Sequence, residues 1–116
     1  MTPETLEALK ASIATWERNA VAETPDDYCM GSENFPLCDM FIGANCIGCP
    51  VLDRTGKTGC HGTPYYRADE AQNDWLDGTC YAEDGKAEAE RQHALHCAAE
   101  EVAFLKSLLP PEEQVP

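Results

Sequence analysis

A chain of 116 residues is the size of one ordinary domain, and its 21 acidic against 8 basic residues leave a formal net charge of −13. That charge disfavours nucleic acid, anionic lipid or any other polyanion as a ligand, so a charged partner is expected to be basic. Seven cysteines, an odd number, suit metal ligation plus remaining thiols better than a secreted disulfide framework.

The opening MTPETLEALK has no basic region followed by an apolar one, and no apolar run is long enough to span a bilayer, so a soluble, cytoplasmic chain is expected. The same stretch predicts a helix over about residues 3–20. Thr2 can cap it, Pro3 suits the first helical position, Glu4 complements the dipole, and Leu6, Leu9, Ile13, Trp16 and Ala20 repeat at helical spacing.

About 60 residues follow that are rich in Gly, Pro, Asn and Asp and poor in either apolar period, the kind of loop that needs a staple. Within them ADEAQNDWLD, with Ala68, Ala71 and Trp75 on one face, predicts a short helix. A second long helix is expected over about residues 86–109, with a seam of Leu95, Ala98, Val102, Leu105 and Leu109, stopped by Pro110 and Pro111. The expected fold is therefore mainly α. It is a single domain in which an antiparallel helical hairpin, made from the two termini, holds a loop-rich middle over about residues 25–66.

Cysteines supply the staple. Cys46 and Cys49 form C-x-x-C around Gly48, a spacing that lets two thiolates share an ion while backbone N–H groups point at the sulfurs. With Cys38 and Cys60 the pattern is C-x7-C-x2-C-x10-C, four thiolates within 23 residues, which suits one tetrahedral structural zinc. Cys29 and His61 are substitute ligands, and an iron–sulfur cluster is the alternative cofactor. Full cysteine ligation leaves no open position for a catalytic water, so the metal is expected to fold the chain rather than do chemistry. His93 and Cys97 share a helical face, but two ligands do not make a second site. Cys97 reads as a small core residue, and Cys80 has no partner at a telling distance.

Other chemistries are poorly represented. The GKT at Gly56–Thr58 lacks the glycine of a phosphate-binding loop, since Val51 stands five positions before Gly56. There is no G-x-S-x-G and no H-E-x-x-H, and the C-x-x-C lacks the β-α pattern of a thioredoxin-like centre, so an enzyme is not expected.

The combination of PLCDMF, NCIGCPV and CHGTPY with a C-terminal FLKSLLP resembles a group of small, uncharacterised bacteriophage and prophage proteins with a C-x-L-C, C-x-G-C-P-V and C-x-G-T-P-Y core between two helices. The resemblance covers most of the chain and departs at Phe35, which stands in the place of the first cysteine of C-x-L-C. It implies a phage source and a metal-bearing core, and no activity. Together with the charge it suggests a protein-interaction module that inhibits a host nucleic-acid-binding or defence protein. Tyr65, Tyr66, Asp69, Glu70, Asp74, Trp75 and Asp77 are the candidate contact residues, because aromatics anchor interfaces and this stretch is densely acidic. A redox or iron–sulfur protein, and an accessory protein that self-associates as a homodimer, are the competing readings.

Overall fold

The first helix, α1, runs Pro3–Asn19 and begins as the sequence dictates: the Thr2 hydroxyl accepts from the Thr5 N–H at 3.1 Å, with proline in the first turn. The computed structural model describes residues 1–30, 35–41, 43, 46–57, 63–81 and 86–113, without the side chains of 78–81 and 86. Leu9, Ile13 and Trp16 are buried along α1, and so are Thr5, Ser12, Thr15 and Asn19, which widen its inward stripe beyond the apolar seam.

The middle is more helical than its composition suggests. A single 3₁₀ turn at Pro25–Asp27 is followed by two short helices, α2 (Pro36–Phe41) and α3 (Pro50–Thr55), each opened by a proline. Gly56 closes α3 in the left-handed conformation, φ 71°, and its N–H reaches the Leu52 carbonyl at 2.7 Å. The Gly-Lys pair of the apparent phosphate loop thus follows a helix rather than a strand, and the described residues contain no strand at all.

The helix expected around ADEAQNDWLD is α4, Tyr65–Tyr81, longer than its local signal because it continues back to the turn at Pro64. Ala68, Ala71 and Trp75 are its buried face, as their spacing requires. The last long helix, α5, runs Lys86–Lys106 and gives way to turns at 107–109 before Pro110. Its most extensive partner is α4, with α1 second. Lys10 pairs with Glu113 at 2.9 Å and Glu17 with Lys106 at 3.7 Å, so α1 and the C-terminal segment run in opposite directions.

The inward row of α5 is Ala94, Cys97, Ala98, Glu101 and Leu105, continued by Leu108 in the turn beyond it; Ala98 and Leu105 of the expected seam are buried as read, while Leu95, Val102 and Leu109 flank the row, half-buried. Small residues in that row let α1 and α4 approach α5 closely, and Leu95, Val102 and Leu109 fill the edges of the contact.

The middle is fastened to this helical body by aromatic packing and by polar groups. Trp16 stacks on Phe35 with ring centroids 5.1 Å apart, and meets Tyr28 and Tyr65 edge-on. The Tyr28 hydroxyl donates to the Ala94 carbonyl at 2.9 Å. Fully buried Asn19 accepts the Cys29 N–H at 2.8 Å and donates to the Cys29 carbonyl at 2.9 Å, so one side chain satisfies both backbone groups of a turn. Replacing Asn19 with Ala leaves both groups unpaired. It is expected to lower stability by about 1–3 kcal/mol, read as a lower urea midpoint at unchanged slope.

Candidate metal centre

The C-x-x-C segment lies between α2 and α3, and each of those helices is anchored to a longer one. The Leu37 N–H at the start of α2 donates to the buried Ser12 hydroxyl of α1 at 3.0 Å, with the Leu37 side chain in the core. Arg54 of α3 donates to the Ser107 carbonyl at 3.1 Å, beyond the end of α5.

Between these anchors the chain folds tightly. The Cys46 N–H reaches back to the Phe41 carbonyl at 2.9 Å, and the Cys49 N–H to the Cys46 carbonyl at 2.9 Å. The turn holds Cys46 at φ 66°, the one non-glycine residue with positive φ among the described residues, and Gly48 at φ 93°. A Cβ at Gly48 would also lie 3.1 Å from the Phe41 ring, so glycine is required there both by conformation and by space.

Cys49 is buried at the head of α3, where the backbone N–H groups of Val51 and Leu52 favour its thiolate. Burial pushes the Cys49 thiol above its ordinary range; those two N–H groups oppose the shift, and nearby Cys38 and Cys46 add to it. Ile47 is exposed at the tip of the turn. No disulfide joins any of Cys29, Cys38, Cys46, Cys49 and Cys97. Among the described residues no three Cys, His, Asp or Glu side chains converge closely enough, as they stand, to hold a metal ion.

The remaining sequence candidates fall in different places. Cys60 and His61 lie outside the described residues, as does the Cys80 side chain. Cys29 is tied to Asn19, whereas the residue before Cys38 is tied to Ser12; the seven residues between those anchors put them about 10 Å apart along α1. Cys29 thus belongs to a different level of the structure from the C-x-x-C turn. Buried Cys97 lies 3.8 Å from the His93 ring nitrogen, an i, i+4 contact on α5.

The candidate contact residues divide in the same way. Trp75, a candidate contact residue that shares a helix face with Ala68 and Ala71, is 3 % exposed and packs edge-on against Tyr28, so it is a core residue. Tyr65 is half-buried against Trp16 and Phe35, and Asp69 is half-buried. Tyr66, Glu70, Asp74 and Asp77 are exposed at 4, 4 and 3 residue intervals, a continuous solvent face of α4.

One residue near the centre carried no motif. Glu101, on the inward row of α5, is 3 % exposed, and its Oε2 has no hydrogen-bond partner among the described residues. Burial raises its carboxyl to about 7, and Cys38 contributes to the shift. The only sequence signal was its heptad-like spacing with Ala94, Cys97 and Leu108, a signal that the neighbouring leucine row obscured.

Neither a protein-family profile, nor a curated protein, nor a solved structure matches the sequence.

Two outcomes are expected. Gly48→Ala forces a Cβ against Phe41 at positive φ and lowers the melting temperature, with a loss on the order of 1–3 kcal/mol. For Glu101, the carboxyl binds its proton more tightly folded than unfolded between its ordinary 4.5 and about 7, so its contribution to stability is complete below pH 4.5 and is lost as pH rises to 7. Denaturation of wild type and Glu101→Gln in EDTA should therefore show wild type losing roughly 2–4 kcal/mol relative to the variant across that window.

Proposed function

We propose that this chain is a small acidic protein-interaction module of phage origin, whose loop-bearing middle is stabilised by one structural zinc ion and whose surface binds a basic partner protein in the cytoplasm. The observation that carries the metal reading is the Cys46–Cys49 turn. It keeps a cysteine at φ 66° and a glycine at φ 93°. A non-glycine residue at positive φ costs on the order of 1 kcal/mol or more, which a purely packing role for Cys46 does not explain. A tight turn that must bring two thiolates to one cation does explain it.

Zinc is the preferred ion for these ligands, with an iron–sulfur cluster the alternative, since one donor beyond Cys38, Cys46 and Cys49 completes a tetrahedron. The sequence offers Cys60 or His61 for that donor. A fully coordinated ion does no chemistry of its own, so function falls to the surface. There the Tyr66–Glu70–Asp74–Asp77 face of α4 and the net charge of −13 favour a basic groove such as that of a nucleic-acid-binding or defence protein.

Protein purified without added metal is expected to carry close to one zinc per chain, and chelation to lower its melting temperature while α1, α4 and α5 keep most of the helical signal. Less than about half an equivalent with the fold intact overturns the zinc staple. The interaction reading is tested separately, by pull-down from the native host at low and high salt. A specific protein released as salt rises is expected, and retention of nothing at either salt overturns it.

A further inference from the structure

We infer that the groove between the Pro25–Asp27 turn, the C-terminal half of α4 and the first turns of α5 receives an arginine side chain, flanked by an apolar residue, from the basic partner protein. The inference rests on the reading of a basic partner, and names where that partner docks and by which residue.

The groove encloses about 450 Å³, within the range of clefts that hold a ligand. Pro25, Trp75 and Ala87 make its lining apolar, and Leu76, 42 % exposed, leaves an apolar side chain open at its side. The turn adds the exposed carboxylates of Glu23 and Asp26, and α5 adds that of Glu88.

Arg91 is the one cation in this lining, and it is already engaged. Its Nη1 donates to Glu88 at 3.1 Å and its Nε to the Ala22 carbonyl at 3.1 Å, so it closes a wall of the groove. With Glu88 balanced by Arg91, Glu23 and Asp26 are left without an ion-pair partner among the described residues. An anion would be repelled by them, and a purely apolar group would strip them of water without replacing it. An arginine meets both parts of the lining: its stem lies along the apolar residues while the planar guanidinium offers donors to two carboxylates at once.

The groove is also fixed before anything enters it. Gln72 of α4 donates to the Pro25 carbonyl at 3.3 Å and the Tyr28 carbonyl at 2.9 Å, holding the turn against the helix, and Trp75 packs edge-on against Tyr28. The cost of ordering therefore falls mainly on the incoming segment. Asp77 follows Leu76 on α4, so the exposed acidic face of that helix borders the groove and steers a basic segment toward it.

The test is an NMR titration of the full, 15N-labelled chain at low salt with the peptide acetyl-Gly-Leu-Arg-Leu-Gly-amide and its lysine and neutral citrulline counterparts. The arginine peptide is expected to shift, saturably, the amides of residues 23–26, 76 and 87–91 and the Trp75 indole. The lysine peptide should bind about threefold more weakly and the citrulline peptide at least about tenfold more weakly. The double variant Glu23→Gln, Asp26→Asn should weaken the arginine peptide by about tenfold at unchanged melting temperature, both side chains being exposed. Glu70→Gln with Asp74→Asn, which removes the same charge from the α4 face, should change affinity by less than about twofold.

Equal weakening by the two double variants, shifts confined to another surface, or citrulline binding as tightly as arginine overturns the groove and leaves the basic-partner reading standing. Absence of any saturable shift overturns the groove as well; the basic-partner reading falls only if the pull-down at two salts also retains nothing.

Discussion

Trp16 is the contact on which the rest of this structure depends. It lies on α1, yet its ring gathers residues from three separate stretches of the chain: Phe35 stacks on it, Tyr28 and Tyr65 meet it edge-on, and Tyr28 passes the contact on to Trp75 of α4. Edge-to-face and offset-stacked pairs are each worth about 0.5–1.5 kcal/mol beyond the area they bury. Their larger effect here is positional. A middle segment with no strand and only short helices in its described residues has few ways to fix its path, and three of its fixed points, Tyr28, Phe35 and Tyr65, converge on one indole.

From that cluster the order spreads by hydrogen bonds to specific backbone atoms. Asn19 holds Cys29, Gln72 donates to the Tyr28 carbonyl at 2.9 Å, Arg91 reaches the Ala22 carbonyl at 3.1 Å, and Ser12 receives α2. Each is a side chain on a long helix satisfying a backbone group outside it, which is how irregular chain can be buried without orphaned polar groups. The C-x-x-C turn comes at the end of this sequence of anchors: its placement depends on α2 and α3, theirs on α1 and α5, and α1 is fixed through Trp16.

The helical class and both terminal helices were legible because their signals are local: a cap and proline at Thr2 and Pro3, and apolar residues at 3 and 4 spacing. The short helices were not legible because proline in a Gly- and Asn-rich stretch reads as a breaker, whereas Pro36 and Pro50 occupy first-turn positions where the missing N–H costs nothing. The α5 seam was legible at Ala98 and Leu105 and only partly elsewhere. Hydropathy favours Leu95, Val102 and Leu109, but a helix wedged between two others puts Ala94, Cys97 and Ala98 at the closest approach and Leu95, Val102 and Leu109 at the flanks. Once Ala94, Cys97 and Leu108 are in place, Glu101 falls inside by geometry alone. No pattern of residue types announces a buried acid, because the same glutamate one position away would be an ordinary surface residue. The C-x-x-C was visible from spacing; the conformation that distinguishes it, φ 66° at Cys46, was not.

The ion pairs have a consequence for how the molecule behaves as an electrolyte. Of the eight basic residues, Lys10, Arg67, Arg91 and Lys106 are paired with acids, so half of the positive charge is already committed within the chain. What the surroundings meet is an excess of carboxylates whose mutual repulsion works against the compact state. Dissolved salt then acts in two opposite senses on the same protein. By relieving that repulsion it tightens the fold, and by shielding the same carboxylates it loosens any hold on a basic surface, so the conditions that make the molecule sturdiest are those in which it is least adhesive.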